Sequence, residues 1–355
     1  MRRQPHEKFS TTGEVLAAMM TCGANDGDSV GAMANGNPAS TWASRFQVAV
    51  LVPCYNEEHA IAKVVADFRA ALSDAAIYVY DNNSTDGTAA AAHAAGAMVR
   101  REPNQGKGHV VRRMFNDVEA DIYLLVDGDA TYDAPSAVKM IGKLVEERLD
   151  MVVAARVDKD VDAYRRGHRA GNRLLTGFVA YIFGRSFTDI LSGYRAFSRR
   201  FVKSFPILSR GFEIETELTV HALELELPVA EIATPYYARQ SGSASKLSTW
   251  KDGFRILWTI QRLFRSERPL VFFGILGLAF ASISIGLAVP IFSTYLEEGL
   301  VPRLPTAVLS TGLMLLAFLS VACGLILDTV TRGRRELRLL AYLQLRAPGE
   351  ERRRS

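Results

Sequence analysis

Ile122-Tyr-Leu-Leu-Val-Asp-Gly-Asp129 is an apolar run that stops on two carboxylates. A buried strand ending this way delivers both side chains to the edge of a sheet, where α/β folds keep their chemistry. With one residue between them, Asp127 and Asp129 can share a hard divalent cation, Mg2+ or Mn2+, through oxygen ligands. Taken alone, the triplet reads equally well as a polar turn after a strand, so its weight depends on its surroundings.

Around it, apolar runs alternate with helical patterns from residue 46 to residue 157. Strands are expected at 46–52, 77–80, 97–100, 122–126 and 151–155. Helices should run to Leu72, through the alanine tract at 89–95, after Gly106 and from Pro135. Strict alternation predicts an α/β domain with a Rossmann-like, mostly parallel sheet flanked by helices on both faces. Ligands of such sheets lie beyond the carboxyl ends of the strands. The polar residues gather there: Val52-Pro-Cys-Tyr-Asn-Glu57 after the first strand, Asp81-Asn-Asn-Ser-Thr-Asp-Gly-Thr88 after the second, Asn104-Gln-Gly-Lys-Gly108 after the third.

The chain has 355 residues, enough for one large domain or two. A formal charge of only +4 gives no reason to expect a nucleic-acid partner. Cys22, Cys54 and Cys323 lie far apart in unlike contexts, which argues against a disulfide framework or a zinc site and suits a reducing compartment. Residues 1–44, rich in Gly, Ala, Asn, Ser and Met, read as a disordered leader. Within it, Val15 to Met20 is too short for a signal-peptide core.

Two stretches, 270–292 and 307–327, carry no charge and are each long enough to cross a hydrocarbon core of roughly 30 Å as a helix. Gly274, Gly277, Ala281 and Gly286 could let the two approach closely. Arg262, Arg265 and Arg268 precede the pair and a basic tail, 329–355, follows it. The positive-inside rule then puts both flanks, and the domain at 45–248, on the cytoplasmic side of an integral membrane protein, with the hairpin at 269–328 pointing outward. Segment 249–268 places Trp250, Phe254, Leu257 and Phe264 near helical spacing among Lys251, Arg255, Arg262 and Arg265. It reads as an interfacial helix or as an amphipathic helix packed on the domain.

The strand-end motifs resemble family 2 glycosyltransferases of the GT-A fold, over about residues 46 to 265, and most closely the polyprenyl-phosphate branch typified by dolichol-phosphate mannose synthase. The resemblance implies a donor site in which Asp81 accepts a base N–H and Pro53, Tyr55 and Glu57 line the nucleoside pocket. It implies that Asp127 and Asp129 hold the metal bridging the two donor phosphates, where a cation stabilises the charge of the departing diphosphate. Lys107 either reaches a phosphate or simply opens a helix, and Asp86 and Thr88 read as helix caps. Asp189-Ile-Leu-Ser-Gly-Tyr-Arg195 would form the acceptor side of the cleft. In Arg239-Gln-Ser-Gly-Ser-Ala-Ser-Lys246, Arg239, Ser245 and Lys246 would sit on the phosphates. Arg156, Arg165 and Arg166 would face the lipid phosphate, a task suited to a planar guanidinium fork.

The implied partners are a UDP- or GDP-sugar, a polyprenyl phosphate and the membrane, with a homo-oligomer left open. A lipid monophosphate is already anionic, so its attack needs alignment and screening more than a base; Asp189 is the candidate if a base is used. Inversion at the sugar is expected. Glu213, Glu215 and Glu217 serve either the cleft or a helix dipole. The histidines show no metal-ligand spacing. A processive polysaccharide synthase is disfavoured by the lack of a Gln-x-x-Arg-Trp motif and by too few spans, and a silent nucleotide-sugar-binding scaffold by the intact acidic pair.

Overall fold

Along β1 (Val48–Cys54), Ala49 and Leu51 point to one face of the sheet, Val48, Val50 and Val52 to the other, and all are buried. β4 (Ile122–Leu125) repeats the pattern, with Tyr123 and Leu125 on the first face and Ile122 and Leu124 on the second. Strands apolar on both sides need helices on both sides. The computed structural model describes residues 45–158, 176–181, 187–207, 211, 213–238, 258 and 261–346.

The second face is covered by α1 (Glu58–Ala71), α2 (Thr88–Ala94) and α4 (Ser136–Glu146), through residues such as Ile61, Ala92 and Met140. The first face is covered by α3 (Lys107–Asp117), α5 (Arg199–Ser204) and α6 (Ile214–Glu224), through Met114, Phe201 and Leu218. The remaining strands are β2 (Ala76–Asp81), β3 (Met98–Arg101), β5 (Met151–Asp158), β6 (Arg195–Ser198) and β7 (Val229–Tyr236). Their order is β3-β2-β1-β4-β6-β5-β7. All neighbours run parallel except β6, which is antiparallel to both β4 and β5. The expected mostly parallel α/β sheet is therefore present, but β5 does not lie beside β4. β6 separates them, and it escapes a pattern reading because it spans four residues, two of which are Arg195 and Ser198.

Beyond the sheet, α7 (Pro269–Glu298) and α8 (Leu304–Leu343) are long and apolar enough to cross a membrane. Leu278, Phe318, Leu319 and Ile326 point outward and are exposed. Both helices outrun the uncharged stretches at 270–292 and 307–327, and α8 continues to Leu343 through a basic segment that holds no proline. Their close approach is made at Gly277, where a Cβ would lie 3.0 Å from the Ala317 carbonyl, and at Gly324, where it would lie 3.1 Å from Phe273 Cβ. At Gly274 and Gly286 a Cβ would meet open space, so those two expected contact points are not used. Ser284 and Ser310 each donate to the other's carbonyl oxygen, at 2.7 and 2.9 Å.

The end of α8 docks on the domain. The Tyr342 hydroxyl donates to Asp150 Oδ2 at 2.6 Å, Arg335 pairs with Glu226, and Arg338 with Glu224. Of segment 249–268, the structure describes 258 and 261–268. There Phe264 packs edge-on against Phe178 and Phe272, and Leu263 packs against the domain core. Trp250, Lys251, Phe254, Arg255 and Leu257, like residues 1–44, lie outside the described residues.

Candidate active site

β1 and β4 lie side by side, and from them the strand order runs off in opposite directions. That switch leaves a crevice beyond their carboxyl ends. Gly128 sits in its floor, where a Cβ would lie 2.5 Å from Cys54 Sγ. The residue between the two aspartates can therefore carry no side chain without a shift of β1. Burial pushes the Cys54 thiol well up, and the negative charges of Glu57, Asp81, Asp127 and Asp129 push it further. Carboxylates from the ends of β1, β2 and β4 thus act on one buried atom. The thiol stays protonated at neutral pH and is no nucleophile.

Glu57 and Asp81 are buried, whereas Pro53 and Tyr55 are half-buried beside them. Asp81 Oδ1 accepts from the Ser84 amide at 3.2 Å. The loops after β1 and β2 are tied together: Asn56, at φ 53°, accepts from the Thr85 amide, and the Glu57 amide donates to Thr88 Oγ1 at 2.8 Å. Asp86 accepts from the Thr88 amide and hydroxyl and from the Glu58 amide. Asp86 and Thr88 therefore link two loops at the start of α2, a wider task than capping it.

The loop after β3 is held by Asn82, whose side chain accepts from the Gly106 amide at 2.7 Å and donates to the carbonyls of Glu102 and Asn104. Gly106 has φ 133°, a backbone open to glycine, and Lys107 follows as the first residue of α3. Its ammonium lies 2.5 Å from Asp127 Oδ1 and 2.5 Å from Glu215 Oε1. Burial works against this charge, but the two carboxylates outweigh it and hold the lysine above its ordinary pKa. Glu215 turns inward from the first turn of α6 and is buried, while Glu213 and Glu217 are half-buried.

Segment 189–195 folds over the aspartates. A Cβ on Gly193 would lie 2.5 Å from Asp127 Oδ2, and the Gly193 amide donates to the Tyr132 hydroxyl at 3.0 Å. Asp129 is buried, with Oδ1 accepting from the Thr131 hydroxyl at 2.6 Å. Arg195 is fully buried and donates to the carbonyls of Ser192 and Ile190 and to Thr219 Oγ1, so it braces this segment from below. Burial lowers its pKa to about 10. Asp189 and Arg156 form a bidentate pair at 2.6 and 2.8 Å, and Glu231 accepts from the Thr188 and Asp189 amides. For Arg156 to meet an acceptor phosphate, or for Asp189 to take a proton, this pair must open.

Arg165, Arg166, Arg239, Ser245 and Lys246 lie outside the described residues. The chain heading for Arg239 leaves from beside the acidic loop, since the Tyr237 amide donates to the Thr131 carbonyl at 2.9 Å. His221 is buried against Phe201 and Phe205, and burial, helped by Arg338, lowers it to about 3, so it stays neutral.

Asp127 and Asp129 offer hard oxygen donors, and the ammonium on Asp127 marks a carboxylate that already draws a cation. Among the described residues no three His, Cys, Asp or Glu side chains are grouped to hold a metal. The set fits a divalent cation that takes its other oxygens from a bound phosphate, as Mg2+ commonly does. Sequence reasoning overlooked Asn82 and Tyr132 and left Glu215 open. Strand parity carried one signal: Asp127 continues the Tyr123 and Leu125 register onto the face that α3 covers, where Lys107 begins.

Comparison with known proteins agrees with this geometry. Residues 49–205 match the model of the family described as glycosyl transferase family 2. The glycosyltransferase AglJ of Haloferax volcanii is 39% identical over 243 residues, 68% of this chain and 80% of that protein. A dolichyl-phosphate hexose transferase of the same organism is 27% identical over 221 residues, 62% of this chain and 95% of that protein. Among solved structures, glucosyl-3-phosphoglycerate synthase from Mycobacterium tuberculosis in complex with Mn2+, UDP and phosphoglyceric acid superposes with a TM-score of 0.52 at 21% identity. That match covers 64% of this chain and 80% of that one, a likeness of fold. With the AglJ match spanning most of both chains and the family model covering the strands that carry the carboxylates, this protein belongs to glycosyltransferase family 2.

Proposed function

We propose that the protein transfers one sugar from a UDP- or GDP-sugar to a polyprenyl phosphate at the cytoplasmic face of a membrane, with inversion and with Mg2+ or Mn2+. The observation that carries this reading is the convergence of Glu57, Asp81, Asp127 and Asp129 on Cys54 at the switch point, with Lys107 beside them. The dolichyl-phosphate hexose transferase relative supports a lipid acceptor. The Mn2+ and UDP complex of the solved neighbour supports the donor and the metal. The outward apolar side chains of α7 and α8, with basic residues at both flanks, support the membrane and its cytoplasmic side.

In this reading Asp81 accepts from the base, Pro53, Tyr55 and Glu57 shape the nucleoside pocket, and Asp127 and Asp129 hold the cation. Bound there, the metal supplies positive charge to the departing diphosphate. Lys107, fixed by two carboxylates, keeps a permanent cation at the same edge without a reorganisation cost at the moment of reaction. The acceptor phosphate needs no base. Asp189 then works as a positioning group that aims the Arg156 fork, and exchange of that fork from carboxylate to phosphate accompanies acceptor binding. Arg165, Arg166, Arg239, Ser245 and Lys246 would supply further phosphate contacts.

The test is to incubate detergent-solubilised full-length protein with UDP- and GDP-sugars, Mg2+ or Mn2+ and polyprenyl phosphate. A singly glycosylated, charged lipid is the expected product. A polymer would make the protein a processive synthase, and no product from any donor would leave a nucleotide-sugar-binding scaffold.

A further inference from the structure

Where the segment before α7 meets the two long helices, a cavity of about 340 Å3 is lined by Arg265, Ser266, Phe273, Leu327, Thr331 and Arg334. Its size falls in the range of small-molecule sites, about 300–1,000 Å3. Its composition is split by depth. Phe273 and Leu327 belong to the uncharged stretches of α7 and α8, whereas Arg265 and Arg334 lie just outside them. An apolar floor under a guanidinium rim matches an amphiphile with an anionic head.

The rim cations differ from their neighbours. Arg332 is paired with Asp328, Arg335 with Glu226 and Arg338 with Glu224. Among the described residues, Arg265 and Arg334 have no ion-pair partner, and both are exposed. Arg334 donates to Thr331 Oγ1, which donates to the Ser266 carbonyl, so the wall between the helices is already braced. Glu267 accepts from the Ser266 hydroxyl and lies in the field of Arg338 and Arg334.

This cavity is remote from the reacting carboxylates. The turns of α8 that follow Arg334 grip Glu226, Glu224 and Asp150. Asp150 precedes β5 at the amino edge of the sheet, and Asp127 and Asp129 follow β4 at the carboxyl edge, β4 and β5 running in the same direction.

We propose that the cavity binds the phosphate headgroup of an anionic phospholipid of the bilayer, with Arg265 and Arg334 on the phosphate and the start of an acyl chain against Phe273 and Leu327. Arginine pairs of this kind between spans at the cytoplasmic boundary recognise anionic headgroups. The bound lipid joins the segment before α7 to α8, and so steadies the helix that carries the domain. The inference rests on the membrane reading of the proposed function and is independent of donor and acceptor identity.

The test is native mass spectrometry of the full chain from mixed phosphatidylglycerol and phosphatidylcholine micelles. Wild type should retain phosphatidylglycerol over phosphatidylcholine by roughly thirty-fold, the product of one contribution from each arginine, because the choline cation cancels the phosphate charge that the two guanidinium groups would meet. The Arg265→Gln/Arg334→Gln variant should lose the preference while its circular dichroism spectrum and UDP binding stay as in wild type, and Arg265→Lys/Arg334→Lys should keep part of it. Equal retention of both lipids by wild type, or an unchanged preference in the glutamine variant, would sink the proposal. So would displacement by inorganic phosphate, which would mark a free-phosphate site, or by polyprenyl phosphate, which would assign the cavity to the acceptor. Asp129→Ala separates the two readings, because loss of transfer with phosphatidylglycerol still bound leaves this site intact. Extraction of the protein from membranes by carbonate would instead remove the membrane reading and this site together.

Discussion

At the carboxyl edge of the sheet one buried lysine is shared between two carboxylates; at the amino edge one buried carboxylate is shared among a serine, an arginine and a tyrosine. Asp150 has no exposed surface and accepts from Ser198 Oγ at 2.6 Å, Arg200 Nε and Nη2 at 2.7 and 2.8 Å, and Tyr342 at 2.6 Å. Arg200 also lies over the Tyr342 ring. Its charge is fully met, and nothing further is called for. Lys107 answers Asp127 and Glu215, but Glu57, Asp81 and Asp129 add negative charge to the same edge. The same chemical groups thus make a rivet where several donors close on one carboxylate, and, among the described residues, a candidate binding site where several carboxylates gather about one lysine.

The largest expected effect falls at the carboxyl edge. Asp129→Ala should lower transfer by at least about a hundredfold while leaving the circular dichroism spectrum and melting curve close to wild type. Retained transfer would remove Asp129 from the metal site. Asp150→Ala should do the reverse. Stripping Arg200 of a buried partner should cost about 3–5 kcal/mol in denaturant unfolding, with turnover per folded molecule preserved; a loss of turnover without a loss of stability would erase the contrast between the edges.

Lys107→Met probes both behaviours at once. It leaves Glu215 buried beside Asp127 without a cation, and a loss of about 2–3 kcal/mol is expected, with transfer lowered by about tenfold or more. Adding Glu215→Gln should return most of the stability and none of the activity, because it removes the stranded charge without restoring the cation. If activity returns with stability, Lys107 is a rivet as well.

The smallest effect is a pH dependence on the amino-edge side. Burial raises the Glu267 carboxyl to about 7, Glu224 adds to the shift and Arg338 opposes it. An unfolded glutamate titrates near about 4.3. A folded pKa above the unfolded one means that this contribution to stability is complete below about 4.3 and is lost as pH rises through about 7. Wild-type melting temperature should therefore fall more steeply across that window than that of Glu267→Gln, and parallel curves for the two proteins would refute the assignment.

The central strands and the acidic pair were legible in the sequence because they rest on local rules. Runs such as 122–126 alternate faces by necessity, and a strand that ends in Asp127-Gly-Asp129 must present them at an edge. β6 was not legible, since its four residues include an arginine whose burial depends on carbonyls of residues 190 and 192 and on a hydroxyl from α6. Nor was the pairing of Asp189 with Arg156, which joins residues 33 positions apart. Asn82 lies within the polar run 81–88 that follows the second strand. Its task depends on the loop after β3 returning to it, which only the folded chain reveals.

The helix α8 runs unbroken for 40 residues, a rod of about 60 Å. Its first part presents apolar side chains outward and its last turns are clamped to the amino edge by Arg335, Arg338 and Tyr342. A rod has no hinge in which to lose a rotation. Once the apolar part is seated in a bilayer, the tilt it takes there becomes the tilt of the sheet, and the height at which the acidic edge rides above the lipid is set by a helix clamped to the opposite edge.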